Sequence, residues 1–183
     1  MKIMIMKIFG DKKIIIRKLE KSDLKKAKRF QDFINVLVEE DAKLLMNEKI
    51  ALKDEVKFLE NILKATQNKT KVFLVAEHDN KIAGTAGIEL ERWRRNHIGK
   101  FGIAIGNGYR RIGLGTYLMS GIIKLAKKEL KSKLKIIQLE VYVNNKPALN
   151  LYKKMGFKIV ARMPKQVQYK GKLIDDLTMV LYV

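Results

Sequence analysis

Hydrophobic residues recur along the chain with two different periods, and these predict its strands and helices. A first apolar run, residues 13–19, is typical of a strand. Between residues 23 and 65 the apolar positions recur every three or four residues, with an interruption near Asn47. Ser22 precedes this segment as a predicted helix cap, so a helical insert is expected directly after the first strand.

Shorter apolar runs alternate with two amphipathic segments in the rest of the chain. Runs 72–77 and 81–90 flank Asp79 and Asn80 and predict a tight hairpin. Strands are predicted over 97–105 and 134–143, helices over 114–130 and after Pro147, and a closing hairpin over 157–168 and 173–183. The order β-αα-βββ-α-β-α-ββ predicts one α/β domain over residues 1–183 with a mixed sheet flanked by helices.

Charge adds one possible class of partner to this picture. Lys and Arg total 39 and Asp and Glu total 19, so the net charge of +20 favours nucleic acid or the ribosome as a partner. Most lysines are scattered in segments of mixed sign, which favours the simpler interpretation of a solvated surface. Arg92, Arg94 and Arg95 around Trp93 form one local cluster with the composition of a phosphate-binding turn beside a stacking ring.

Several classes of protein are excluded by composition. The apolar fraction of 47% predicts a folded core, and the absence of cysteine excludes disulfides, thiolate metal sites and a cysteine nucleophile. The longest uncharged stretch, residues 112–123, is twelve residues long, whereas a membrane span needs about 20. No export signal is recognisable at the N-terminus, where Met4 and Met6 are alternative starts, so a cytoplasmic protein is expected.

The sharpest chemical signal is segment 109–116, which lies between a predicted strand and a predicted helix. The first N–H groups of a helix lack partners, and Gly113 and Gly115 would let a phosphate approach them while Arg110 and Arg111 supply charge. A close contact between helix and strand is the structural alternative. The segment lacks the Gly-Lys-Ser/Thr of a Walker loop and the third glycine of a dinucleotide fingerprint.

A second group of polar residues follows in strand 134–143 and the helix after it. Glu140 is the only carboxylate on that strand, and burying it would require a partner or a catalytic role such as general base. A salt bridge to a lysine is the alternative. Tyr152 and Asn145 are equally compatible with a core tyrosine and a helix cap, and the isolated His78 and His97 are assigned to structure.

Two signatures in this order resemble the GCN5-related N-acetyltransferases. The first is Arg/Gln-x-x-Gly-x-Gly/Ala, matched by Arg110, Gly113 and Gly115. The second is Asn-x-x-Ala-x-x-Leu-Tyr-x-x-x-Gly-Phe, matched by Asn145, Ala148, Leu151, Tyr152, Gly156 and Phe157. The spacing from Glu140 to Tyr152 is similar to that of the ribosomal-protein N-terminal (alanine) acetyltransferases. The resemblance implies their mostly antiparallel sheet and allows a homodimer.

The resemblance also implies a reaction and its residues. An amine would attack the thioester of acetyl-CoA directly, without a metal, with Glu140 as base, Tyr152 as acid and a strand amide near Ile105 stabilising the oxyanion. Asn145 would contact the cofactor where two strands splay apart. The remaining cofactor residues would be Ile103, Ala104 and Ile105 for the pantetheine arm, and Arg110, Arg111, Ile112, Gly113, Leu114, Gly115 and Thr116 for the pyrophosphate turn.

Acidic residues occur in the two regions that are expected to surround the acceptor. The resemblance places the insert 23–66 and the last strand around the acceptor, and these carry Glu39, Glu40, Asp41, Asp175 and Asp176. Local acidic walls in a basic protein favour a single amine, such as a protein or peptide N-terminus, over a polyamine. A small-molecule or polyamine acetyltransferase is one alternative, and a basic nucleic-acid- or ribosome-associated module that binds CoA without turnover is another.

Overall fold

The computed structural model describes residues 4–130 and 133–183. Within these ranges eight strands form one sheet, and four α-helices pack against it. The strands are β1 Met4–Phe9, β2 Lys12–Lys18, β3 Lys71–His78, β4 Lys81–Leu90, β5 Ile98–Ile105, β6 Ile136–Tyr142, β7 Lys158–Tyr169 and β8 Lys172–Tyr182. The helices are α1 Ala27–Glu39, α2 Leu52–Gln67, α3 Leu114–Glu129 and α4 Lys146–Lys154.

The strand order is β1-β2-β3-β4-β5-β6-β8-β7, and every neighbouring pair is antiparallel except β5 with β6. This confirms the predicted mixed α/β fold. The sequence pattern missed β1, a hairpin partner of β2 whose first five residues are exposed on both faces and therefore show no alternation. Gly10 (φ 62°) and Asp11 make the turn between them.

Two apolar layers cover the two faces of the sheet. The larger layer lies under α3 and α4 and includes Leu118, Ile122 and Ile137, all 0% exposed. The smaller lies under α1 and α2 and includes Leu59 and Val75, also 0% exposed. The face each strand residue occupies therefore decides which pair of helices it meets.

Local turn chemistry was predicted well at one position and poorly at another. Asp79 and Asn80 both have positive φ, 47° and 60°, as the two-residue hairpin between β3 and β4 requires. Ser22 was expected to cap the insert, but this was wrong: a 3-10 helix over Lys21–Lys26 begins after Glu20. Asp23 makes the capping contact instead, accepting a hydrogen bond of 2.8 Å from the Glu20 N–H.

Asp23 also belongs to a buried ionic cluster that ties the insert to the sheet. The Arg17 guanidinium donates to both carboxylate oxygens of Asp23 at 2.7 Å and to Glu77 at 2.7 and 3.0 Å, while Arg29 also pairs with Glu77. Burial opposes ionisation, yet the hydrogen bonds from Arg17 hold the pKa of Asp23 and of Glu77 below their ordinary values. The base of the insert is thereby fixed to β2 and β3.

Candidate active site

The turn before α3 has the backbone of an anion-binding turn. Arg111 and Gly113 both adopt left-handed conformations, with φ 62° and 90°, and Gly113 is the N-cap of α3. The Tyr117 N–H donates to the Gly113 carbonyl, which is the first hydrogen bond of α3. The N–H groups before Tyr117 in the helix have no carbonyl of the same helix to bond, as at any helix N-terminus. A Cβ on Gly115 would lie 3.6 Å from Leu151 of α4 and 3.8 Å from Ile105 of β5, which are ordinary contacts, so packing does not require a glycine at this position.

Arg110 makes contacts within the chain that the sequence did not predict. Its Nε donates to the carbonyl of Ile105 at 3.0 Å, and its terminal guanidinium nitrogen pairs with Glu40 after α1. The side chain therefore ties the end of β5 to the insert. A direct role for Arg110 in binding phosphate stays a prediction.

A gap opens between β5 and β6. These strands pair in parallel at three positions only, from Ile98 with Ile136 to Lys100 with Gln138. Beyond Lys100, β5 continues to Ile105 and keeps its pairing with β4. The other edge of residues 101–105 therefore faces the gap, and a Cβ on Gly102 would meet no atom within 4 Å. The expected pantetheine residues, Ile103, Ala104 and Ile105, lie along this edge.

Glu140 lies on the β6 side of the gap, on the face of the sheet that α1 and α2 cover. It pairs across the strand with Thr178 of β8, and the next residue on the same face is Tyr142, opposite Asp176. Lys100 donates to Glu140 at 3.0 Å, and the Glu140 side chain is 45% exposed. Glu140 is therefore partly exposed and has the lysine partner that the sequence analysis gave as the alternative, while its role as general base stays a prediction.

Asp176 is the carboxylate that this face leaves uncompensated. Its Oδ1 is buried and has no hydrogen-bond partner, and no ion pair to it occurs among the described residues. Burial, followed by the negative charge of Glu140, raises the pKa of Asp176. Glu140 is paired with Lys100, whereas Asp176 has no cation of its own among the described residues, so Asp176 gives this part of the face affinity for a positive charge.

The other acidic residues expected to line the acceptor site have partners within the chain. Glu39 pairs with Lys49 at 2.6 Å, and Glu40 pairs with Arg110. In the same way, Asp41 pairs with Lys170 at 3.2 Å and Asp175 with Arg162 at 2.6 Å. Of the five predicted acidic residues, Asp176 alone has a buried, unpartnered oxygen within the described ranges.

Tyr152 lies on the opposite side of the sheet from Glu140. It is 8% exposed on α4, with its ring edge-on to Phe101 of β5 at 6.1 Å and tilted against Phe157 at 6.2 Å. Burial raises the pKa of Tyr152 to about 12, so the phenol keeps its proton at neutral pH. Tyr152 and Glu140 therefore lie on different faces of the sheet, and their roles as acid and base stay predictions.

Asn145 has the structural role that its position before Pro147 predicts. It is the N-cap of α4, and its side-chain oxygen accepts from the Ala148 N–H at 3.5 Å. This places it directly after β6, beyond the gap. A contact between Asn145 and the cofactor stays a prediction.

A cavity of about 510 Å³ lies between the segment after α1 and the β7–β8 hairpin. Tyr142 forms part of its wall, and its hydroxyl donates to the Leu44 carbonyl at 2.6 Å. Tyr169 closes the other side by donating to the Asp41 carbonyl at 2.9 Å. Tyr142 therefore connects the cavity to the strand positions of Glu140 and Asp176. Tyr142 was not predicted as a site residue, although its position two residues after Glu140 on the same strand places both on one face of the sheet.

The remaining chemistry is limited. His78 contacts the hydroxyl of Tyr109 through Nδ1 at 3.2 Å, which agrees with its structural assignment. In the part of the chain that the structure describes, no group of three or more His, Cys, Asp or Glu side chains is arranged to hold a metal ion. None of the described helices combines the length and apolarity needed to cross a bilayer.

Comparison with known proteins places this geometry in context. The profile of the Acetyltransferase (GNAT) family matches residues 36–157. The L-amino acid N-acetyltransferase AaaT of Escherichia coli (strain K12) is 33% identical over 103 residues, which cover 56% of this chain and 62% of that protein. An N-alpha-acetyltransferase of Sulfurisphaera tokodaii is 36% identical over 100 residues, covering 48% of this chain and 57% of that protein. The chain thus spans about three-fifths of the length of these curated relatives.

Solved structures resemble this chain over a larger part of its length than the curated relatives do. A GNAT-family acetyltransferase from Streptococcus pneumoniae superposes with a TM-score of 0.81 at 28% identity, covering 93% of this chain and 99% of that one. YncA of Salmonella typhimurium, a putative acetyltransferase solved with acetyl-CoA, superposes with a TM-score of 0.77 at 20% identity, covering 92% and 93%. The second likeness is one of fold.

Proposed function

Because this chain belongs to the GNAT acetyltransferase family, we propose that it transfers the acetyl group of acetyl-CoA to the α-amine of a peptide or protein N-terminus. The observation that carries the proposal is the gap between β5 and β6. It lies between an anion-binding turn on one side and a pair of carboxylates, Glu140 and Asp176, on the other.

The two faces of the sheet divide the work of the reaction. Acetyl-CoA supplies a thioester, whose carbonyl carbon forms a bond to the amine nitrogen as its bond to sulfur breaks. The amine approaches from the face that carries Asp176, where an ammonium is held before it loses its proton. Glu140, acting through water, takes that proton, and Lys100 keeps its carboxylate oriented.

Tyr152 acts on the leaving group from the other face. Its phenol is protonated at neutral pH and its ring packs against Phe101 and Phe157, which supports a role as proton donor to the departing thiolate. The N–H groups of the turn before α3 hold the pyrophosphate, and the free edge of β5 holds the pantetheine arm.

An α-amine is favoured over a polyamine because the negative site is small and local. Among the five acidic residues expected around the acceptor, all within the described ranges, Asp176 alone has a buried oxygen without a partner, whereas lysines and arginines neutralise the others. One ammonium is therefore accommodated, and further positive charges on the same molecule would meet Lys49, Lys170 and Arg162. Two relatives are named for acetylation of an L-amino acid and of an N-alpha group, which agrees with this acceptor class.

A panel of acceptors tests the proposal directly. The protein is incubated with acetyl-CoA and, in separate reactions, a peptide with a free α-amine, the same peptide with that amine blocked and a free lysine, a free amino acid, or spermidine. Release of the CoA thiol is measured. We expect the highest kcat/KM for the peptide with the free α-amine. Turnover of spermidine with inert peptides would refute the acceptor, and acetyl-CoA binding without any turnover would favour a non-catalytic module.

Two neighbouring aspartates provide a matched pair of variants for the acceptor site. Asp176→Asn should raise KM for the peptide about tenfold, the effect of losing about 1.4 kcal/mol of binding, with a smaller change in kcat. Asp175→Asn removes the same charge from a residue engaged by Arg162 and should leave KM within about twofold. Equal effects of the two substitutions would show that only the overall charge matters.

A further inference from the structure

The turn between β4 and β5 presents a tryptophan to solvent. Trp93 is 86% exposed, the highest value for any large hydrophobic side chain described, and it is the single tryptophan of the chain. The turn is a short 3-10 helix over Trp93–Arg95, held by backbone hydrogen bonds from Arg95 to Arg92 and from Asn96 to Trp93. We call residues 92–95 the arginine turn.

The conformation of Trp93 makes its exposure more unusual. Its φ of 52° lies in the left-handed region, which is costly for a residue with a Cβ and uncommon for a bulky one. Burial of an indole is normally among the most favourable contributions a side chain makes to a fold. In the arginine turn Trp93 therefore combines an unfavourable backbone conformation with little burial of its ring.

The three arginines leave positive charge beside the ring. Within the described residues, Arg92 and Arg94 form no ion pair, and Arg95 makes only a long contact of 3.6 Å with Glu91 while its side chain stays 57% exposed. A guanidinium presents several N–H donors in a plane and matches the geometry of phosphate oxygens.

Neighbouring segments extend the basic surface at this end of the sheet. The Leu90 N–H donates to the carbonyl of Thr70 at 2.8 Å, and the Lys135 N–H donates to the carbonyl of His97 at 2.8 Å. These bonds bring the chain before β3 and the chain before β6 alongside the arginine turn. These two segments of the chain contain three exposed lysines: Lys69, Lys133 and Lys135.

We propose that the arginine turn binds single-stranded nucleic acid, with an unstacked base lying against Trp93 and the arginines contacting the phosphates on either side. A flat aromatic ring flanked by arginines suits a ligand that alternates bases with phosphates. An acidic peptide would satisfy the charges but not the ring, and a duplex hides the faces of its bases. The turn is also too short to enter a groove as a helix does.

This surface is separate from the acetyl-transfer site. β5 has eight residues and leads from the arginine turn to the pyrophosphate turn, so the two lie roughly 25 Å apart at about 3.3 Å per residue. Nucleic acid at one end of the sheet would leave the gap and the cavity open. Binding of nucleic acid at the arginine turn therefore does not depend on which amine the protein acetylates.

Because Trp93 is the only tryptophan, its fluorescence reports on this surface alone. The intact protein is titrated with a twelve-nucleotide uridine RNA, a DNA of the same length, inorganic polyphosphate and poly-glutamate. Stacking should quench the fluorescence with either oligonucleotide, whereas polyphosphate and poly-glutamate, which lack bases, should not. Equal quenching by poly-glutamate would replace nucleic acid with an acidic protein, and no quenching by the oligonucleotides would refute the proposal.

A matched pair of triple variants separates the turn from the general charge of +20. Arg92→Gln/Arg94→Gln/Arg95→Gln should weaken binding of a labelled RNA tenfold or more and reduce the slope of log affinity against log salt by about 2. The control, with Lys124, Lys127 and Lys128 of α3 changed to Gln, loses the same charge and should change affinity less than about threefold. Equal losses would show diffuse attraction only, and Trp93→Ala with unchanged affinity would refute stacking.

Discussion

Glu55 provides a test of the folded state that depends on pH. It lies in the first turn of α2 and is only 5% exposed, and no salt bridge to it occurs among the described residues. Burial alone raises the pKa of Glu55 from 4.5 to about 7. Between about pH 4.5 and about pH 7 the folded protein therefore keeps a proton on this carboxyl that the unfolded chain has lost.

The sign and size of the effect follow from that difference. Since the folded state binds this proton more tightly, the contribution of Glu55 to stability is highest below about pH 4.5 and falls as the pH rises towards about 7. At about 1.4 kcal/mol per pH unit, the interval from 4.5 to about 7 corresponds to at most about 3 kcal/mol. Glu55→Gln is neutral at every pH, so it removes the loss of stability that comes from ionising a buried carboxyl.

Thermal denaturation at pH 5 and pH 8 measures the difference. At pH 8 the variant should melt up to roughly 10 °C above the wild type, since 1 kcal/mol shifts Tm by about 2–4 °C in a chain of this size. At pH 5 most of the gain should disappear. Glu60→Gln, an exposed glutamate on the same helix, should change Tm little at either pH. Equal melting of Glu55→Gln and wild type at pH 8 would refute the reasoning.

Three further substitutions test the site and its support. Gly115→Ala should fold normally, because its Cβ would make only ordinary contacts, yet lose about tenfold or more in affinity for acetyl-CoA by calorimetry; unchanged affinity would show that cofactor binding does not depend on a glycine at this position. Tyr152→Phe should lower kcat about 100-fold to 10,000-fold with unaltered Tm and acetyl-CoA affinity, and a wild-type kcat would make the phenol structural. Arg17→Met should cost about 3–5 kcal/mol in urea denaturation, because Asp23 is left buried without its partner; a loss below about 1 kcal/mol would contradict the importance of the cluster.

Most of the fold could be predicted from the sequence because its signals are local. The alternation in β6, the helical stripe of α3 and the turn at Asp79 and Asn80 each depend on residues a few positions apart. β1 escaped because an exposed edge strand has no buried face to impose alternation.

The site was predictable only in part, because its contacts are distant in sequence. The two signatures located the turn before α3 and Tyr152. They could not indicate that Lys100 reaches Glu140, because parallel pairing of β5 with β6 brings these residues together. The pairing of four acidic residues with lysines and arginines likewise depends on tertiary geometry, and it left Asp176 as the exception.

The short pairing between β5 and β6 also indicates where the sheet separates most easily in partial unfolding. Other neighbouring strands share four to eight such pairs, so the sheet is weakest at this junction. Amide hydrogens at the junction should exchange with solvent through partial opening, before those in the centre of β3 and β4. The aromatic group of Phe101, Tyr152 and Phe157 bridges the two halves on one face. A ligand that fills the gap would take the place of the missing ladder, so substrate binding would slow exchange on both sides of it.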